Sequence, residues 1–182
     1  MGASAAGQRY FIALGSNLGD RQSYLEQAWS RVQRLCWKAR LSRIYETRPL
    51  YVEDQPRYLN AVGEAWSSFA PEAMLRQLQR IEGELGRDRR HEVRRGARTL
   101  DLDILLCGEV VMKTPALTIP HPLMSERLFV LVPLLELDPG LRDPRNGRPY
   151  LAARDELLSA GDDGGVYLHP GASYTGPSQG EA

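Results

Sequence analysis

The sequence predicts an α+β fold, an antiparallel sheet with helices packed on it, and three observations predict it. Two segments in the first half carry apolar residues at helical spacing, and short aliphatic runs flank them. Gly and Pro punctuate the junctions between these segments. The resulting order is strand, helix, strand, strand, helix, strand, which matches the ferredoxin-like β-α-β-β-α-β sandwich, here with C-terminal helical additions. In that topology the first and third strands are central and the fourth lies beside the first. Two helices cover one face, and the other is free for loops and ligands.

Arg9 to Leu14 reads as a buried strand running into Gly15-Ser16-Asn17-Leu18-Gly19-Asp20. The glycines allow a tight turn there, but neither a P-loop nor a dinucleotide fingerprint follows. Asp20 caps a helix expected to reach about Trp37, with Tyr24, Leu25, Ala28, Trp29, Val32, Leu35 and Cys36 as its apolar stripe. Arg40 to Glu46 reads as the second strand and Tyr58 to Trp66 as the third, with Leu59, Ala61 and Ala65 on one face. Pro71 opens the next helix, Met74, Leu75, Leu78, Ile81 and Leu85 form its stripe, and Gly86 ends it. Its exposed side carries Gln79 and Glu82.

The fourth strand, Leu100 to Leu106, is the most informative stretch. Side chains alternate along a strand, so Asp101 and Asp103 share one face, roughly 7 Å apart, while Leu100, Leu102 and Ile104 take the other. Two adjacent carboxylates repel, and burial without a cation costs several kcal/mol or forces protonation. Immediately before them, Arg87 to Arg98 contains six arginines. Two readings stand on these residues alone. One is a solvated loop and an acidic edge. The other is a polyphosphate site, with guanidinium groups clamping phosphate oxygens and carboxylates holding Mg²⁺.

Beyond the strand, Glu109 to Val111 is expected to form a short hairpin partner, and His121 is presented rigidly between Pro120 and Pro122. An apolar segment, Leu128 to Leu137, is interrupted by Pro133, and Tyr150 to Leu158 reads as a further helix. Residues 8–160 are expected to form a single domain, with 161–182 an extended, partly disordered tail rich in Gly, Ser, Pro and Asp.

Composition excludes several classes. Among 182 residues, 42% are hydrophobic and 25% charged, which suits one globular domain with its own core. The 23 Lys and Arg balance 23 Asp and Glu, so a globally basic nucleic-acid binder is not indicated. Cys36 and Cys107, far apart and in apolar settings, read as reduced buried thiols, and the three histidines lack metal-ligand spacing. No apolar signal core or membrane-length run is present, so a cytoplasmic protein with no membrane partner is expected.

Five motifs fall in one order: Gly15-Ser16-Asn17-Leu18-Gly19, Gln55-Pro56-Arg57-Tyr58-Leu59-Asn60, Gly86-Arg87-Asp88-Arg89, Arg98-Thr99-Leu100-Asp101-Leu102-Asp103-Ile104 and Ile119-Pro120-His121-Pro122. Their order and near-matching spacing resemble the 6-hydroxymethyl-7,8-dihydropterin pyrophosphokinase family of folate biosynthesis, over about residues 9 to 160. The resemblance implies a ferredoxin-like fold and transfer of pyrophosphate from ATP to the pterin hydroxymethyl group, releasing AMP. It implies that Asp101 and Asp103 bridge two Mg²⁺ ions and that Arg87 and Arg98 stabilise charge on the transferred group. By the same resemblance ATP contacts fall at Gln79, Glu82, Arg87, Arg89, Arg98, Ile104, Thr118, His121 and Arg127. Pterin contacts fall at Thr47, Pro49, Leu50, Tyr58, Asn60, Asp101 and Phe129. Asn60 also stands out without the family, because asparagine is disfavoured inside a strand. The chain departs from the family pattern where Arg95-Gly96-Ala97-Arg98-Thr99 replaces Trp-Gly-Pro-Arg-Thr, and where Ala116 replaces a basic residue.

Two rival readings use the same features. An Asp-x-Asp nucleotide-sugar transferase requires a larger α/β domain than 182 residues provide. A non-enzymatic RNA-binding module built on the arginine segment requires steeply salt-dependent affinity and indifference to loss of Asp103.

Overall fold

The structure is a computed structural model that describes residues 7–49, 55–87, 96–161 and 165–170. In chain order its elements are β1 (Gln8–Ser16), α1 (Arg21–Gln33), β2 (Lys38–Leu41), β3 (Tyr45–Thr47), β4 (Tyr58–Ser67), α2 (Pro71–Glu84) and β5 (Asp101–Cys107). These are followed by β6 (Met112–Lys113), β7 (Thr118–Ile119), α3 (Leu128–Leu137), α4 (Tyr150–Ser159) and β8 (Tyr167–Leu168). The main sheet runs β5-β1-β4-β3-β8, with β2 also on β4. Strand β1 pairs antiparallel with β4 on one side and β5 on the other. The first and third expected strands are therefore central, and the strand bearing both aspartates lies beside the first.

Four local expectations are corrected. The second strand divides into β2 and β3 because the Ser42 hydroxyl enters the ladder. Val62 N–H donates to Ser42 Oγ at 3.0 Å while Ser42 N–H donates to Val62 O at 2.9 Å, displacing regular pairing. Helix α1 starts as expected, with Ser23 N–H donating to Asp20 Oδ1 at 3.1 Å, but it ends at Gln33 and not Trp37. Tight bonds from Leu35 N–H to Val32 O and from Cys36 N–H to Gln33 O close it, and Trp37 N–H is already bound to Trp66 O of β4. The short hairpin is formed by Met112–Lys113 against Thr118–Ile119, with Glu109 to Val111 outside its strands. Finally, Tyr167–Leu168, expected in an extended tail, adds β8 to the sheet edge beside β3. The last residues of that tail, 171–182, lie outside the described residues.

On one face of the sheet, α1 and α2 bury Leu25, Ala28, Trp29, Val32, Met74, Leu78 and Ile81 against Tyr10, Ile12, Leu14, Leu59, Ala61, Leu102 and Ile104. Gly63 faces this layer without a side chain because the Trp29 ring occupies its space. A Cβ there would sit 2.0 Å from the ring.

The opposite face was expected to be free. It is not, because α3 and α4 bury Val130, Leu131, Leu134, Leu135, Tyr150 and Ala153 on Phe11, Val62 and Leu105 over half of it. Charged residues fix this second layer. Fully buried Glu64 accepts from Arg9 Nε at 2.6 Å and from Arg40 Nε. The same two guanidinium groups donate to Asp138 Oδ2 at 2.7 Å and to Leu137 O at 2.6 Å, at the end of α3. Arg9 also lies over the Phe11 and Trp66 rings, 4.8 and 5.6 Å from their centroids. Cys36 and Cys107 are free thiols, as expected, but only Cys107 is buried; Cys36 is half-buried. Among the described residues no helix is long and apolar enough to cross a membrane.

Overpacking a rigid layer costs about 1–3 kcal/mol. Gly63→Ala should lower unfolding free energy by that amount in urea titration, with a perturbed Trp29 emission in the folded state. Unchanged stability would contradict the contact.

Candidate active site

The uncovered half of the second face forms a cavity of about 320 Å³. Its floor follows from strand register. Gly15 of β1 stands between Asn60 of β4 and Asp101 of β5, and Ala13 stands between Val62 and Asp103. Two small residues in the central strand keep the floor low between larger neighbours. A Cβ at Gly15 would lie 3.0 Å from Asn60 Oδ1, so glycine lets the Asn60 carbonyl oxygen sit over β1.

At one end of this floor stand the two aspartates. Arg87 Nη1 donates to Asp101 Oδ1, and Arg98 Nη1 donates to Asp101 Oδ2 at 3.0 Å. Arg98 reaches the cavity, whereas the Arg87 side chain is only 5% exposed and lies behind Asp101. Glu82, expected on the exposed side of α2, is fully buried. Its carboxylate accepts the Leu102 N–H at 2.8 Å and Arg87 Nη1 at 2.6 Å. Buried polar groups must find partners, and this one grips the amide between the two aspartates. Among the described residues no guanidinium salt-bridges Asp103, although the charges of Arg87 and Arg127 act on it to lower its carboxyl. Burial first, then the like charges of Asp101 and Glu82, push its carboxyl up to about 7.

Asn17, which motif reading kept as part of a turn, braces the site from outside the cavity lining. It is buried, its Oδ1 accepts Arg98 N–H at 2.8 Å, and its Nδ2 donates to Gln55 Oε1 at 3.1 Å. One side chain thus ties the start of the arginine–aspartate block to the segment before β4. The available signal was an amide side chain between two glycines directly after a central strand.

The other end of the cavity suits a flat polar ring. Asn60 Nδ2 donates to buried Thr47 Oγ1 at 2.7 Å, which fixes the carboxamide's orientation. Tyr58, Pro49 and Phe129 line the same space, and the Arg127 guanidinium lies 5.7 Å from the Phe129 centroid. His121 also lines the cavity, its backbone N–H bound to Leu105 O and its Nδ1 accepting Leu123 N–H at 3.3 Å. Burial and the nearby Arg127 push the imidazole down to about 4, so it is neutral at physiological pH.

Ten expected site residues therefore line one cavity: Thr47, Pro49, Tyr58, Asn60, Arg98, Asp101, Asp103, His121, Arg127 and Phe129. Others do not. Ile104 turns into the core beneath α1 and α2, as strand alternation requires. Gln79 is exposed on α2, and Thr118 lies in β7 outside the cavity lining. Leu50, Arg89 and Arg95 lie outside the described residues.

Among the described residues, no group of three or more His, Cys, Asp or Glu side chains is placed to hold a metal ion. The two aspartates alone offer hard oxygen donors and leave coordination incomplete. That donor set suits Mg²⁺, which commonly takes one or two carboxylates with phosphate oxygens and water.

A family model, 7,8-dihydro-6-hydroxymethylpterin-pyrophosphokinase (HPPK), matches residues 11–139. The chain belongs to this family. It is 49% identical over 129 residues to the Bacillus subtilis 2-amino-4-hydroxy-6-hydroxymethyldihydropteridine pyrophosphokinase, covering 70% of this chain and 76% of that one. The Pseudomonas aeruginosa enzyme of the same name is 44% identical over 168 residues, covering 91% and 99%. A crystal structure of a Plasmodium falciparum HPPK-DHPS triple mutant with SDX-DHP shares the fold at TM-score 0.69 and 16% identity. That match covers 86% of this chain but 45% of the longer one.

The raised Asp103 carboxyl has a sign that can be checked. The folded chain binds this proton more tightly than the unfolded one, so stability is lost as pH rises from the ordinary carboxylate range to about 7. Without divalent cations at about pH 8, Asp103→Asn should therefore melt higher than the wild type, with the difference vanishing on acidification. An equal or lower melting temperature for the variant would contradict the burial of like charges.

Proposed function

We infer that the chain transfers pyrophosphate from ATP to the hydroxymethyl group of 6-hydroxymethyl-7,8-dihydropterin, releasing AMP, as a step of folate biosynthesis. The observation that carries this reading is the row Asn60–Gly15–Asp101 across three adjacent strands. It sets a pocket for a flat amide-edged ring against a carboxylate pair and an arginine, on one floor.

Each residue has a part in this reading. Thr47 takes one Asn60 N–H, so the Asn60 carbonyl oxygen faces the pocket and accepts a ring N–H. Tyr58 and Phe129 hold the ring, offset stacking adding about 0.5–1.5 kcal/mol beyond burial. Asp101 and Asp103 would hold Mg²⁺, two ions in this reading, which would supply charge neutralisation at the triphosphate. Arg98 faces the phosphates and stabilises charge developing on the transferred group. Arg87, behind Asp101, and Glu82, beneath Leu102, set the carboxylate's position. Neutral His121 and Arg127 border the same cavity as nucleotide contacts. In this reading residues 8–160 form one domain that works as a cytoplasmic monomer on small molecules.

The decisive test is the nucleotide product. With Mg²⁺, ATP and 6-hydroxymethyl-7,8-dihydropterin, AMP should accumulate one for one with the diphosphorylated pterin. Asp101→Ala and Asp103→Ala should each reduce turnover by at least about a thousandfold while far-UV circular dichroism is unchanged. ADP would make the chain an ordinary kinase, and no turnover would end the assignment.

A further inference from the structure

The family match ends at residue 139, yet the chain beyond it returns to the cavity wall. Strand β8 pairs with β3, setting Glu46 opposite Tyr167 and Tyr45 opposite Leu168, and His169 N–H donates to Ile44 O at 2.9 Å. Strand β3 ends in Thr47, the residue that orients Asn60. The next residues, Arg48 and Pro49, line the cavity.

Arg48 is exposed, and an arginine side chain carries about 2 kcal/mol of rotamer entropy. Here it is held from behind. Gly165 is buried with φ +52°, and a Cβ on it would stand 2.8 to 3.0 Å from Cγ, Cδ and Nε of Arg48. Only glycine leaves room for that stem. Tyr167 Oη then accepts from Arg48 Nη2 at 3.3 Å. The Tyr167 ring also lies 5.8 Å from the Arg57 guanidinium, in the segment that carries Gln55 to the same cavity. Two segments bordering the ring-binding end thus meet at Tyr167.

We propose that residues 165–168 belong to the pterin site, with Gly165 and Tyr167 as positioning residues that hold Arg48 on its wall. The inference rests on the pyrophosphokinase reading, and it adds a specificity element beyond the span of the family model, residues 11–139. A planar guanidinium carries N–H donors suited to the acceptor-rich edge of a flat heterocycle. Loss of its support loosens pterin binding without touching the phosphate end.

Steady-state kinetics of the 182-residue chain separate the possibilities. Tyr167→Phe keeps the ring beside Arg57 and removes the hydroxyl; Gly165→Ala crowds the Arg48 stem. Each should raise the KM for 6-hydroxymethyl-7,8-dihydropterin by about threefold to tenfold, the worth of roughly one hydrogen bond. The KM for ATP and kcat should stay within about twofold. Arg48→Ala should give the same pterin-selective rise, and Tyr167→Phe should add nothing to it. An unchanged pterin KM in Tyr167→Phe and Arg48→Ala, or an equal rise for both substrates, would overturn the proposal while wild-type AMP formation leaves the reaction intact. Absence of AMP formation by the wild type would remove the reaction and this inference together.

Discussion

The site is organised around a repulsion: two carboxylates on one face of β5, partly withdrawn from water, with a third carboxylate behind them. Left alone, such a cluster protonates or opens. Here it is resolved unequally. Asp101 is paired with Arg87 and Arg98, and Glu82 is paired with Arg87 and the Leu102 amide. Asp103 is the least relieved of the three: burial and the charges of Asp101 and Glu82 raise its carboxyl more than Arg87 and Arg127 lower it. A fold that keeps one carboxylate in this condition carries a standing cost, which a cation bound between the two aspartates would relieve.

The rest of the architecture serves that arrangement. Glu82 reaches Leu102 only because α2 packs directly across β5, through Leu78 and Ile81 against Leu102 and Ile104. The cavity exists because α3 and α4 stop halfway across the second face, and the Glu64 charge cluster fixes where α3 ends. The central strand carries Ala13 and Gly15 where the cavity lies and Phe11 where the helices lie. One strand therefore provides both core and ligand floor by changing side-chain size along a single face.

Much of this was legible in the sequence. Period-two alternation placed Asp101 and Asp103 together and Leu102 and Ile104 opposite, and the element order gave the neighbours of β5. The burial of Glu82 was not legible, since a carboxylate at the margin of a helical stripe reads as solvated unless its partners are known. Those partners, Arg87 and a backbone amide, are brought to it only by tertiary packing. Ile104 shows the converse: family position marked it as a ligand contact, while alternation along β5 commits its side chain to the core. Ser42 split a strand through a hydroxyl that competes with backbone pairing, and Gly165 and Tyr167 lie in a polar, glycine-rich stretch whose composition reads as tail.

Metal binding tests the central claim most directly. Electron paramagnetic resonance of Mn²⁺, a hard cation suited to oxygen donors, can be titrated against the chain with a nonhydrolysable ATP analogue. Two tightly bound equivalents per chain are expected in the wild type, with tight binding lost in both Asp101→Ala and Asp103→Ala. Undiminished Mn²⁺ binding in these variants would contradict a carboxylate-held metal–triphosphate site.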